Sequence, residues 1–87
     1  EPNNKSHWDP LIDTEWDMFA EMTKLTGQAI ADAAPGLTRV LGGMSPIDPQ
    51  FLRRLEGKGV MEQLDVVAVH GFPLDWNLWS IDEWPNK

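Results

Sequence analysis

The chain has 87 residues, 41% of them hydrophobic and 24% charged, which makes one small folded domain at most rather than a disordered or fibrous chain. Fourteen acidic against seven basic residues leave a net charge of -7 that repels phosphate backbones and anionic lipid, and no apolar run approaches the roughly 20 residues needed to span a bilayer, so neither nucleic acid nor membrane is expected as a partner. Cysteine is absent, which excludes disulfides, thiolate metal sites and a cysteine nucleophile.

Residues 1–12 hold two prolines and two asparagines with no sustained period and read as a loop. They carry neither an initiator Met nor the layout of a signal peptide, so the protein's own start is expected upstream. A helix of about 20 residues follows. Asp13 or Thr14 caps it, Asp17 stands in capping-box position after Thr14, and Trp16, Phe19, Ala20, Thr23, Gly27 and Ile30 trace its apolar face. Pro35-Gly36 ends that helix, and Thr38 to Gly42 reads as a short buried strand closed by Gly42-Gly43. Asp48-Pro49 starts a second helix, because Asp accepts from free backbone donors and Pro at the first helical position loses nothing; Phe51, Leu52 and Leu55 face inward. Gly57 and Gly59 interrupt it, Val60-Met61 form a further turn, and Leu64 to Val69 read as a second buried strand. After a loop rich in Pro, Trp and Asn, Ser80 and Glu83 make another capping box and open a third helix.

This alternation argues for an α/β fold with parallel strands joined by crossovers. Neither strand alternates apolar with polar residues, so each expects cover on both faces and neighbours on both edges, more than 87 residues supply. In such folds functional groups gather where strands end and loops begin. Three such points are Glu1 to Trp8, Gly42 to Asp48 and His70 to Trp79, which together hold most of the Trp, His and Asn residues.

The opening Glu1-Pro2-Asn3 with Trp8 resembles the acid/base motif of retaining glycosidases of clan A, which normally reads Asn-Glu-Pro-Asn; the leading Asn is absent here. The resemblance sharpens toward glycoside hydrolase family 39, the β-xylosidase and iduronidase family, at Arg39-Val40-Leu41-Gly42-Gly43 and at Asp65-Val66-Val67-Ala68-Val69-His70-Gly71-Phe72-Pro73. That family typically carries Tyr or a similar aromatic where Phe72 stands. The resemblance implies a partial (β/α)8 TIM barrel in which residues 1–87 form an internal stretch of one catalytic domain, from the end of strand 4 to the start of helix 6. It also implies hydrolysis of a β-linked sugar with Glu1 as catalytic acid/base, without a cofactor, and with a carbohydrate as substrate; the oligomeric state is left open.

A retaining glycosidase needs a second carboxyl about 5–5.5 Å from the first. The resemblance places that nucleophile at the end of strand 7, beyond Lys87, so this chain alone is expected to be inactive. His70 and Phe72 match the family's His-x-aromatic pair in the sugar site. Trp8, Trp76 and Trp79 offer flat faces for sugar C–H groups with an indole N–H as polar handle. Asn3 belongs to the same motif and is a candidate sugar contact.

Blander readings stand beside these. Glu1 is also read as a solvated carboxylate, His70 as a core histidine, each Trp as packing, and Asn3 as the cap of a turn. His7 and His70 with Asp9 or Asp75 match no recognisable metal-ligand spacing, so no metal is expected, and Gly42-Gly43 lacks the third glycine of a dinucleotide fingerprint. Two rival functions within the same barrel are another clan A glycanase and a noncatalytic carbohydrate-binding domain. A third rival is an independent small α/β protein.

Overall fold

The computed structural model describes residues 1–71 and Asp82. Phe72, Asp75, Trp76 and Trp79 lie outside the described residues, as does the third helix expected from Ser80 and Glu83. The architecture is α/β: helix α1 (Asp17–Ala33), strand β1 (Val40–Met44), helix α2 (Pro49–Gly57), a 3-10 turn (Val60–Gln63) and strand β2 (Val66–Val69). The two strands pair in parallel, with Val40 opposite Val66, Leu41 opposite Val67 and Met44 opposite Val69. Parallel neighbours need a long crossover between them. Here α2 and the 3-10 turn provide it.

The first helix begins later than its capping pattern suggests. Residues 9–16 form successive turns, Trp16 takes a left-handed backbone (φ 64) and the helix opens at Asp17. Asp13 still satisfies its free donors, but from across a turn: its carboxylate accepts from the N–H of Met18 at 3.1 Å and of Phe19 at 2.9 Å, and from the Trp8 indole at 3.0 Å. Burial works to raise the Asp13 carboxyl, and the bonds from Phe19, Met18 and Trp8 outweigh it and hold the group below its ordinary range. A left-handed Trp is costly unless its surroundings over-determine it. Trp16 is buried and stacked edge-on against Phe19 and Phe51, at 5.8 and 4.8 Å between ring centroids.

The second helix starts as its sequence dictates, with Asp48 accepting from the N–H groups of Gln50 and Phe51 and Pro49 in the first turn. The core is assembled from Trp16, Phe19 and Ala20 at the head of α1, Leu41 and Met44 of β1, Phe51 and Leu55 of α2, and Val60 of the 3-10 turn. Glycine 27 is required where α1 meets that turn, because a Cβ there would come within 2.8 Å of Gln63 Cβ and 3.0 Å of its carbonyl oxygen.

Both strands are displaced from their expected bounds. Gly42 and Gly43 lie inside β1 instead of closing it, and the register is irregular between Leu41 and Met44, where the glycines stand. The second strand begins at Val66, because Leu64 packs on the core and Asp65 is taken up at the sheet's N-terminal end. The expected burial on both faces is not met within the described residues: Val40, Val66, Val67 and Val69 are 53%, 45%, 39% and 46% exposed.

Candidate functional site

Two parallel strands end side by side, so the segments at their C-terminal ends share one edge of the sheet. The N-terminal turns are fastened to that edge by Asn3, whose Oδ1 accepts from the Ser45 N–H at 2.8 Å and whose Nδ2 donates to the Pro46 carbonyl at 2.7 Å. The Asn4 N–H closes a turn on the Glu1 carbonyl at 3.0 Å, and the His7 and Trp8 N–H groups return to the Asn4 carbonyl. Glu1 is thereby aimed across the end of β1 toward the residue that leaves β2. That residue is His70, whose own N–H donates to the Met44 carbonyl at 2.9 Å.

The side chains meet there. His70 Nδ1 lies 3.0 Å from Glu1 Oε1, and Asn4 Nδ2 donates to Glu1 Oε2 at 3.1 Å. A carboxylate only accepts, so the proton of this contact is on the imidazole nitrogen. The His7 ring approaches Oε2 from the other side at 3.8 Å. The His70 hydrogen bond first, and the Asn4 bond second, hold the Glu1 carboxyl below its ordinary value of 4.5, against a smaller opposing effect of burial. Such a group is held in its ionised form, is a weaker base than an ordinary carboxylate, and gives up a proton readily once it has one.

Below Glu1 runs an apolar groove of about 410 Å³ between α1 and β1, lined among others by Pro2, Trp8, Phe19, Met22, Ile30 and Leu41. A more polar cleft of about 630 Å³ lies along the N-terminal turns, bounded by Asn3, Asn4, Lys5, Ser6, Ser45 and Pro46.

The structure brings together the described parts of all three strand-end clusters read from the sequence: Glu1 to Trp8, Gly42 to Asp48, and His70. Glu1 and His70, 69 positions apart, are in direct contact. Asn3 and Trp8 are engaged otherwise. Both ends of the Asn3 amide hold backbone, while the Trp8 indole N–H is given to Asp13 and its ring stacks edge-on against Phe19 at 5.2 Å, leaving only its flank on the groove. Two members escaped the sequence reading. Asn4 was visible only as the residue three after Glu1, the spacing at which a turn folds a side chain back on its start, and His7 had been weighed solely as a metal ligand. Among the described residues no group of three or more His, Asp or Glu side chains is placed to hold a metal ion, and no helix is long and apolar enough to cross a membrane. In comparisons with known families, curated proteins and solved structures, the chain matches none.

Proposed function

We propose that this chain is part of a (β/α)8 barrel of a retaining O-glycosidase acting on a β-linked sugar, with Glu1 as the general acid/base. The observation that carries this reading is the meeting of Glu1 and His70 at the C-terminal end of two parallel strands, the end at which barrel enzymes build their sites. The exposed valines support the barrel part of the reading, since they are the residues that further strands and helices of a barrel would cover.

In the first chemical step a second carboxylate, supplied from outside this chain, attacks the anomeric carbon. The bond to the leaving oxygen breaks as Glu1 gives that oxygen its proton. In the second step the Glu1 carboxylate removes a proton from water, whose oxygen attacks the same carbon and frees the enzyme carboxylate. His70 and Asn4 favour the ionised Glu1 of this second step. The low Glu1 carboxyl therefore sets an acidic limit on the first step, which requires the protonated form.

The test is Glu1→Gln in the full-length protein assayed with aryl β-xylosides and unactivated β-linked sugars. Loss of general acid/base catalysis lowers kcat/KM on the unactivated substrate by about 10²–10⁴-fold. Aryl glycosides with acidic leaving groups keep a fast first step and recover turnover when azide, a nucleophile that needs no general base, takes the place of water, attacks the anomeric carbon and releases the enzyme carboxylate as a glycosyl azide forms. Full hydrolysis of the unactivated sugar by Glu1→Gln removes the proposal.

A further inference from the structure

The two adjacent glycines of β1 have different neighbours. A Cβ built on Gly42 would meet only Pro2 Cδ, at 3.8 Å, an ordinary van der Waals contact. A Cβ built on Gly43 would run into the His70 imidazole, overlapping Nε2 and Cδ2 and coming within 2.9 Å of Cε1. Neither glycine has a positive φ, so what Gly43 supplies is space and not backbone freedom. The backbone of His70 is held by its N–H bond to the Met44 carbonyl. An added methyl at position 43 therefore cannot coexist with the ring where it stands, and rotation of the imidazole about its own side-chain bonds carries Nδ1 away from Glu1.

We infer that Gly43 is a positioning residue for the Glu1–His70 pair: its bare Cα is the seat on which the imidazole rests while Nδ1 bonds the carboxylate. The inference rests on the reading of Glu1 as acid/base for its functional meaning, and on the geometry alone for the contact. Because the His70 bond is the main influence lowering the Glu1 carboxyl, residue 43 controls the protonation of Glu1 without touching it.

The experiment follows the Glu1 side-chain carboxyl by ¹³C NMR against pH in the full-length protein. The variants are Gly43→Ala, Gly42→Ala, His70→Ala and the Gly43→Ala/His70→Ala double. Gly43→Ala moves the Glu1 midpoint upward, in the same direction as His70→Ala, while Gly42→Ala leaves it at the wild-type value. In the His70→Ala background, Gly43→Ala adds no further shift, as expected when two positions act through one interaction. A Gly43→Ala midpoint equal to wild type overturns the inference, and so does an equal shift with and without His70. Should Gly43→Ala fail to fold, the double variant folds because the ring that conflicts with the new methyl is gone; a double variant that stays unfolded also overturns it. These titrations need no activity, so an inactive parent protein would sink the acid/base reading and leave this one standing.

Discussion

The two ends of the sheet each carry a carboxylate that joins separate segments: Asp65 joins the residues that lead into β1 and β2, and Glu1 joins the N-terminal turns to the residue leaving β2. At the N-terminal end Asp65 accepts from the backbone N–H of Arg39 at 2.7 Å and from its guanidinium at 3.4 Å, while the same guanidinium reaches Gln63 at 3.1 Å. The backbone bond is the first cause of the lowered Asp65 carboxyl and the guanidinium the second. The planar guanidinium fork fixes the geometry of this clamp. At the C-terminal end Glu1 is held by two side chains, the His70 imidazole and the Asn4 amide. A joint made of backbone and guanidinium fixes strand register, whereas one made only of side chains is released when a ring rotates away.

Opening the core that both ends share has the largest expected effect on stability. Leu55 is fully buried in the cluster that also holds Leu41 and Met44 of β1. Leu55→Ala is expected to destabilise the fold by about 2–5 kcal/mol, read by chemical denaturation, through lost burial and the cavity left behind. A loss below about 0.5 kcal/mol, the range of surface substitutions, would overturn that account.

Asp65→Asn addresses the structural end alone. The melting temperature is expected to fall slightly, as for an exposed ion pair, with little change in the Glu1 midpoint. The pH dependence has a definite sign. The folded Asp65 carboxyl lies below its ordinary value of 3.8, so its contribution is complete above that value and is lost as the pH falls through the lower folded one. Asp65→Asn should therefore flatten part of the acid limb of a stability profile and leave the neutral limb parallel to wild type.

His70→Ala addresses the functional end. Removing the donor to Oε1 raises the Glu1 carboxyl toward its ordinary range, since that bond is the main cause of its lowering. If Glu1 is the proposed acid/base, the alkaline limb of kcat/KM reports loss of its proton and is expected to move to higher pH, with a change of less than about 0.5 kcal/mol in stability for an exposed side chain. A stability loss without a shifted limb would make His70 a structural residue like Asp65.

Much of this contrast could be read in the sequence, and what could not has local physical causes. Parallel strands, both helices and the Asp48-Pro49 start follow from patterns a few residues long. The start of α1 does not, because the donors of Met18 and Phe19 are satisfied by Asp13 from across a turn, a device that a three-residue capping pattern does not contain. The bounds of β1 were obscured by Gly42-Gly43, which signal a strand end by composition and here lie inside the strand. Glu1 and His70 were visible as strand-end residues of the right chemistry, yet their contact spans 69 positions and depends on Asn3 fastening the first turn to Ser45 and Pro46. No spacing rule carries that information.

The smallest expected effect bears on what lies over the open face of the sheet. Val40 and Val66 are registered opposite each other, one step from the buried Leu41, so their side chains occupy the face turned away from the core. At 45% exposure Val66 has little left to lose, and Val66→Thr in the 87-residue chain should change stability by no more than about 0.5 kcal/mol. Within a barrel the same face turns inward, and an introduced hydroxyl without a partner there costs about 1–3 kcal/mol. The ratio of the two effects, measured by denaturation of the short chain and of the full-length protein, thus tests the barrel without reference to activity. Equal, small effects in both would mean that nothing covers this face, and the barrel reading would fall while the Glu1–His70 geometry remained.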